Sequence, residues 1–136
     1  MTTNARTDLS IDQLRTEIAG EVIAPDDPGY DDARKTFMPL YDNRRPTVII
    51  KPADAREVGY VVALARESGL ELAVRSGGHS GAGHSASDGG IVLDLSRMKG
   101  LEIDPGKKVA WAEAGLTAGE VTNATAAHGR LTGGAK

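Results

Sequence analysis

Residues 47–74 carry the pattern that most constrains the fold, because two strand-like segments flank one amphipathic helix. TVIIK, 47–51, is β-branched and apolar, which is typical of a buried strand, and LELAV, 70–74, predicts a second one. The helix begins at Asp54, with Glu57 in the position of a capping partner. Its predicted buried face consists of Val58, Val61, Val62 and Ala65. Because a helical crossover joins parallel strands, the unit predicts an α/β fold.

The chain before this unit predicts a helix and a short strand. Ser10 and Gln13 have the spacing of a capping box, so we expect residues 1–20 to form an N-terminal helical extension. EVIAP, 21–25, is short and apolar and predicts a strand, whereas DDARKTF, 31–37, predicts a short helix.

The chain after the unit returns to strands and closes with a helix. Strands are predicted over 90–95, 101–104 and 108–115. Pro105-Gly106 is a turn signal between the last two, which predicts an antiparallel hairpin. Thr117 with Glu120 makes another capping box, and the helix is expected to run to Gly129. The predicted class is α/β (α+β): a small parallel strand–helix–strand sheet flanked by helices, then the start of a second, antiparallel β subdomain.

Composition excludes several kinds of site and partner. The chain has no cysteine, so disulfides, thiolate metal sites and a cysteine nucleophile are excluded. A net charge of −3 and an aromatic content of 4% do not favour nucleic acid or an anionic membrane as a partner. No stretch is long and apolar enough to span a membrane, and the first ten residues lack a secretory pattern, so a cytoplasmic location is expected.

The glycine-rich stretch RSGGHSGAGHS, 75–85, directly follows the predicted strand 70–74. Open α/β sheets bind ligands at the carboxyl ends of their strands, so this loop is the candidate binding site. Gly77 and Gly78 allow positive φ and close approach of a ligand, and successive N–H groups there would form a concave anion nest. A flexible surface loop, in which glycine and serine only fill space, explains the same composition.

Two phosphate-binding motifs come close to fitting this loop. Gly78 and Gly83 have P-loop spacing, but His84 stands where the phosphate-binding lysine belongs. Gly81, Gly83 and Ala86 imitate the G-x-G-x-x-A dinucleotide fingerprint. Both motifs need a helix that starts at the loop, whereas SASDGGIVLDL predicts a strand, so we expect neither.

The histidines have different expected roles. His79 and His84 have a spacing that metal sites use, but no nearby carboxylate or cysteine completes a ligand set. His128 falls at the end of the last predicted helix, where a histidine commonly meets the helix dipole. His79 directly follows the glycine pair, so its side chain is expected to face whatever the loop holds.

A family resemblance rests on one long motif, Arg75-Ser76-Gly77-Gly78-His79-Ser80 followed by Gly83 and by DGGIVLDLSRM over 88–98. This motif resembles the FAD-binding domain of the vanillyl-alcohol-oxidase/p-cresol-methylhydroxylase (PCMH) superfamily, and most closely its berberine-bridge-enzyme-like flavin oxidases. The resemblance covers residues 21–134 and extends to Arg45-Pro46, Gly115-Leu116-Thr117 and Glu120-Val121.

The resemblance implies FAD as the cofactor, with the loop wrapped around its pyrophosphate. His79 matches the histidine that in this family bonds covalently to the 8α-methyl carbon of the flavin. The cofactor-binding residues it implies are Arg75, Ser76, Gly77, Gly78, His79, Ser80, Gly83, His84, Thr132, Gly133 and Gly134. It implies no catalytic residue and no metal ligand in this chain. Because the chain has no cysteine, the second flavin bond of many relatives is excluded.

The resemblance also implies that residues 21–136 form the N-terminal part of a PCMH-type FAD-binding domain, whose second FAD loop is cut to Ala135-Lys136. An N-terminal fragment, a truncated gene product and one half of a split protein are equally compatible with this pattern. The complete relative is expected to oxidise an organic alcohol, amine or sugar. We expect the isolated chain to be inactive as an oxidase and to bind FAD weakly or not at all. It is also expected to self-associate or to need a companion polypeptide that supplies the missing half. The alternative is a non-catalytic nucleotide-binding or protein-interaction module that keeps the loop for its backbone shape.

Overall fold

The computed structural model describes residues 9–80 and 82–129 of the chain. The helices are α1 (Ile11–Glu17), α2 (Tyr30–Arg34), α3 (Ala55–Ser68) and α4 (Ala118–Ala126). The strands are β1 (Glu21–Ile23), β2 (Val48–Lys51), β3 (Leu72–Arg75), β4 (Ile91–Asp94), β5 (Leu101–Asp104) and β6 (Val109–Ala112). This alternation of helices and strands confirms the predicted α/β class.

A four-stranded sheet with the order β1-β2-β4-β3 forms the centre of the fold. Strands β2 and β3 both run parallel to β4, and β1 pairs with β2 in the antiparallel direction. The two strands joined by α3 are therefore parallel, as predicted, but β4 lies between them. All four residues of β4 are buried, as expected for a strand that has neighbours on both edges and is covered on both faces.

Apolar side chains cover both faces of this sheet. Helices α1 and α3 pack on one face, where the core residues are Leu14, Ile18, Val48, Ile50, Val61, Ala65, Ile91 and Leu93. The core of the other face consists of Ile23, Tyr30, Ile49, Ala73 and Val92. Val62, predicted on the buried face of α3, is 43% exposed. It lies about 100° around the helix from Val61, outside the buried stripe.

Several element boundaries differ from their predicted positions, and the strands predicted over 21–25, 90–95 and 108–115 are each shorter. Helix α2 ends at Arg34 rather than at residue 37, and the N–H of Phe37 donates to the carbonyl of Gly78 (3.0 Å) instead of to a helical carbonyl. Strand β3 spans Leu72–Arg75 rather than 70–74, so Arg75 belongs to the strand. Helix α4 ends before Gly129, which has φ +73°.

Strands β5 and β6 form the separate antiparallel hairpin that the sequence predicts. The capping box of α4 is also confirmed, because Thr117 Oγ1 accepts from the N–H of Glu120 (3.1 Å) and the Glu120 carboxylate accepts from the N–H of Thr117 (2.9 Å). Helix α1 is capped by Ser10 and packs into the core, and the division of the chain at residue 20 stays a prediction. None of the described helices is both long and apolar enough to cross a membrane.

Glu57 has a role that its capping pattern did not predict. Its side chain is only 1% exposed, and its carboxylate accepts from the N–H groups of Ala19, Gly20 and Ala53 at 2.5, 3.2 and 2.9 Å. Burial acts to raise the pKa of Glu57, but these three backbone donors together hold it below its ordinary value. The ionised carboxylate thus ties the turn between α1 and β1 to the start of α3.

Glu57→Gln is expected to lower the free energy of unfolding by about 1–3 kcal/mol, because the amide NH2 cannot accept from a backbone N–H. Since the pKa of Glu57 is depressed in the folded state, this stabilisation is present above the ordinary glutamate pKa and is lost as pH falls through the folded value. Denaturant unfolding at neutral and acidic pH measures both effects. Glu67→Gln, at an exposed position on the same helix, is the control. Equal stabilities of the two variants at neutral pH would refute this role.

Candidate functional site

A cleft of about 470 Å³ lies at the carboxyl end of β3. One wall is the beginning of the glycine-rich loop, and the other is the segment that leads into α4. The lining residues are Val74, Ser76, Gly77, Gly78, His79, Ser80, Ser85, Gly115, Leu116, Thr117 and Ala118. The loop continues into β4 rather than into a helix, so the P-loop and dinucleotide-fingerprint geometries are absent from the described residues here.

The backbone of residues 76–80 presents free hydrogen-bond donors. Within the part of the chain that the structure describes, none of these five N–H groups donates to a protein acceptor. Gly78 has φ +71°, the left-handed conformation that the sequence predicts for it. Gly77 does not have positive φ, so for that residue only the close approach of a phosphate stays a prediction. Free N–H groups around a left-handed glycine form the concave arrangement that binds phosphate oxygens.

The N-terminus of α4 forms the facing wall of the cleft. A helix of this length carries partial positive charge at its N-terminus, which attracts anions. The Glu120 carboxylate in the first turn is paired with Lys99 (2.9 Å), and the N–H of Thr117 together with this lysine lowers the pKa of Glu120. The capping box marked this helix start in the sequence, but only the tertiary structure places it opposite the glycine loop.

Two arginines, Arg75 and Arg44, donate hydrogen bonds to backbone carbonyls of residues 83–85, which we call the second arm of the loop. Arg75 is 5% exposed, and its guanidinium donates to the carbonyls of Ala33, Arg34 and Ser85. The carboxylate of Asp94 lies 3.8 Å from the same guanidinium. Burial lowers the pKa of Arg75, and this carboxylate opposes that effect.

Arg44 is the second of these arginines, and it holds the loop at Gly83. Its guanidinium donates to the Gly83 carbonyl (2.7 Å) and stacks over the Tyr41 ring at 4.5 Å. A Cβ at Gly83 would lie 2.7 Å from the Arg44 guanidinium. Gly83 also has φ +83°, so its backbone conformation together with this packing favours glycine, whatever the loop binds.

The predicted cofactor-binding residues fall into three groups. Those that line the cleft are Ser76, Gly77, Gly78, His79 and Ser80. Arg75, Gly83 and His84 do not line the cleft; the first two are buried and His84 is exposed. Thr132, Gly133 and Gly134 lie outside the described residues.

His79 is an exposed residue at the mouth of the cleft. Its ring meets the Phe37 ring edge-on, with centroids 4.8 Å apart and an interplanar angle of 66°. His84 contributes its backbone N–H to the Ser80 hydroxyl (3.2 Å). Among the residues that the structure describes, no three histidine or carboxylate side chains are grouped to hold a metal ion. His128 lies just beyond α4, and its N–H donates to the Thr125 carbonyl (3.0 Å).

The cleft fits a diphosphate better than a neutral ligand. Its polar features are unpaired N–H donors on one wall and a helix N-terminus on the other, and both favour negative charge. A pyrophosphate can also approach the backbone closely here, because Gly77 and Gly78 in the glycine loop have no side chain. These residues therefore fit the pyrophosphate of a dinucleotide cofactor such as FAD.

Gly78→Val is expected to weaken FAD binding by about tenfold or more. Left-handed backbone costs a residue with a side chain about 1–2 kcal/mol, so the valine variant favours a different loop conformation and turns the N–H donors away. A Cβ at Gly78 would meet its nearest atom, Arg75 Cδ, at 3.6 Å, so the effect comes from the backbone rather than from a clash. Equilibrium titration of FAD fluorescence measures it.

Gly89→Val is the matched control for this experiment. Gly89 also has positive φ (+85°), but a Cβ there meets nothing within 4 Å, and the residue does not line the cleft. Both valine variants therefore carry a similar backbone strain, and only Gly78→Val is expected to lose FAD affinity. Wild-type affinity in Gly78→Val would show that the loop does not bind phosphate through this backbone.

The sequence and the fold of this chain are similar to those of FAD-linked proteins. Residues 46–135 match the family model described as an FAD binding domain. (R)-6-hydroxynicotine oxidase of Paenarthrobacter nicotinovorans is 39% identical over 115 residues, which are 82% of this chain and 24% of that protein. Berberine bridge enzyme-like 9 of Arabidopsis thaliana is 34% identical over 80 residues, or 57% of this chain and 15% of that protein.

A solved structure shows the same fold. The crystal structure of 6-hydroxy-D-nicotine oxidase from Arthrobacter nicotinovorans superimposes with a TM-score of 0.79 at 38% identity, and covers 82% of this chain and 24% of that one. The chain thus spans about a quarter of the length of the nicotine oxidases that it matches.

Proposed function

The chain belongs to the FAD binding domain family, in the berberine-bridge-enzyme-like branch of the vanillyl-alcohol-oxidase/PCMH superfamily, and from this premise we propose how it serves a flavin-dependent oxidoreductase. Its role is to hold the FAD pyrophosphate in the cleft between the glycine loop and α4. The observation that carries this proposal is that residues 76–80, whose N–H groups have no protein acceptor among the described residues, line one cleft together with the N-terminus of α4.

Each part of the site has a separate task in this proposal. The N–H groups of Ser76 to Ser80 bind the phosphate oxygens, and the first turn of α4 adds favourable electrostatic potential. Arg75 and Arg44 stabilise the conformation of the loop rather than contacting FAD, since their guanidinium groups donate to the carbonyls of residues 85 and 83. FAD, when bound, supplies the two-electron acceptor for substrate oxidation, and the protein supplies its position and electrostatics.

A covalent link between His79 and FAD is part of the proposal. His79 lies in the cleft lining directly after the left-handed Gly78, and a neutral imidazole is a competent nucleophile near neutral pH. His79 would hold the flavin through a bond between an imidazole nitrogen and the 8α-methyl carbon, with one proton lost from each of these atoms. The two electrons left on the flavin would be taken up by dioxygen, which with the two protons becomes hydrogen peroxide.

The substrate is proposed to be an organic alcohol, amine or sugar, oxidised with dioxygen as the electron acceptor. The matched curated relative and the matched solved structure both carry the name of a hydroxynicotine oxidase, which supports an oxidase reaction without defining the substrate of this chain. A cytoplasmic location stays a prediction from the sequence.

The isolated chain is proposed to be inactive as an oxidase and to need further polypeptide, either a second copy or a companion. Val109 and Trp111 lie two positions apart on β6, so they share one face of the hairpin, and they are 43 and 75% exposed. Neighbouring exposed apolar side chains of this kind are commonly covered by protein. Sedimentation together with an oxygen-consumption assay tests this. A monodisperse monomer that turns over a substrate would contradict it.

Flavin titration tests the proposed function directly. FAD is expected to bind more tightly than riboflavin, which has the isoalloxazine ring but no phosphate, because the cleft recognises the diphosphate. After acid precipitation of the FAD complex, yellow colour in the pellet identifies covalent flavin. If FAD binds no better than riboflavin, the diphosphate proposal is wrong. The alternative of an interaction module without flavin predicts a colourless protein that cannot be reconstituted, and the family match does not favour it.

A further inference from the structure

We infer that Phe37 is a positioning residue for His79: its side chain holds the imidazole in the orientation from which it reaches the flavin. The inference rests on the proposed covalent role of His79 and extends the site to a residue that does not line the cleft. Phe37 is the only phenylalanine in the chain.

The backbone of Phe37 is attached to the loop at the residue before His79. Its N–H donates to the Gly78 carbonyl at 3.0 Å, across 41 positions of sequence. The preceding residue is held as well, because the Thr36 hydroxyl and the N–H of Met38 are within hydrogen-bond distance of each other (3.3 Å). The segment that carries the phenyl ring is thus fixed relative to the glycine loop.

The imidazole of the exposed His79 lies next to two features of the protein. The Phe37 ring meets it edge-on at a centroid distance of 4.8 Å, which is a favourable aromatic arrangement. On the side of Gly77, a Cβ would lie 3.5 Å from Nδ1 and 3.6 Å from Cε1 of His79, so the ring lies against the bare backbone of that glycine. The two contacts limit the rotamers that the imidazole can adopt.

The exposure of Phe37 indicates that its ring contributes to the contact with His79 rather than to the hydrophobic core. The side chain is 70% exposed and belongs to neither of the two core clusters. Removing it is therefore expected to leave the fold intact, so a variant at this position reports on His79 rather than on stability. Aromatic pairs of this geometry favour the paired conformer by about twofold to tenfold.

The test compares Phe37→Leu, which removes the aromatic ring, with Phe37→Tyr, which keeps it. Trp111→Leu removes an equally exposed aromatic side chain from the β5–β6 hairpin and is the control. In the full chain without flavin, nuclear magnetic resonance follows the imidazole ring protons, with His84 and His128 as internal references. With FAD added, the rate at which flavin becomes acid-stable is measured at saturating cofactor.

Phe37→Leu is expected to shift the His79 ring resonances alone and to slow covalent attachment by about twofold to tenfold. Phe37→Tyr and Trp111→Leu should behave as the wild type. Unchanged His79 resonances or an unchanged attachment rate in Phe37→Leu would overturn the inference. Slower attachment in Trp111→Leu as well would also overturn it, because the effect would not be specific to Phe37. If the wild-type chain binds FAD but never becomes acid-stable, the covalent proposal fails, whatever the resonances show.

Discussion

His79→Ala is expected to abolish acid-stable flavin completely while the unfolding midpoint stays at the wild-type value. The alanine has no nucleophilic nitrogen, and the exposed histidine contributes no core packing. The backbone N–H groups that bind the diphosphate are unchanged, so non-covalent FAD should still bind. Mass spectrometry of the tryptic peptides identifies the modified residue in the wild type.

His84→Ala is the matched control for the attachment site. His84 belongs to the same loop and is also exposed, but it does not line the cleft. This variant should keep its covalent flavin on His79. An adduct on His84 in the wild-type chain, with His79 unmodified, would show that the wrong histidine was assigned.

Arg75→Met is expected to lower the free energy of unfolding by about 3–5 kcal/mol, because it leaves the buried Asp94 carboxylate without its cation. It also removes the donor to the Ser85 carbonyl, so the second arm of the glycine loop loses one attachment. Denaturant unfolding measures the stability. Arg97→Met, at an exposed position just beyond β4, should change it by less than about 0.5 kcal/mol.

A double variant separates the two effects of Arg75. In Arg75→Met combined with Asp94→Asn, the uncompensated charge is gone, so part of the lost stability should return. The attachment of the loop should not return, because the Ser85 carbonyl still lacks its donor. A loss below about 1 kcal/mol in Arg75→Met would show that this buried pair does not stabilise the loop.

Local features of this protein could be predicted from the sequence because neighbouring residues determine them. The caps at Ser10, Asp54 and Thr117 involve backbone groups only three residues away, and all three form. The hairpin β5–β6 and the left-handed conformation of Gly78 were predicted on the same basis. The family could also be recognised at this level, since its motif is one continuous stretch.

Contacts between distant segments were not predictable in this way. Glu57 was expected to return to its own N-cap, yet its carboxylate accepts from Ala19 and Gly20 because α1 packs beside the start of α3. The predicted helix over 31–37 is too long, because its sequence does not reveal that the N–H of Phe37 donates to the Gly78 carbonyl in the glycine loop. In both cases a tertiary hydrogen bond replaced the expected local one.

The sequence by itself determined the glycine loop, its position after a strand and the histidine that follows its glycine pair. Only the tertiary structure decided that β4 lies between β2 and β3 and that the N-terminus of α4 forms the second wall of the cleft. The same holds for Arg75, which was implied as a cofactor residue and whose guanidinium is buried among backbone carbonyls. The physical reason is that capping and glycine conformation depend on a few adjacent residues. Strand order and the partners of a buried charge depend instead on how all the elements pack together.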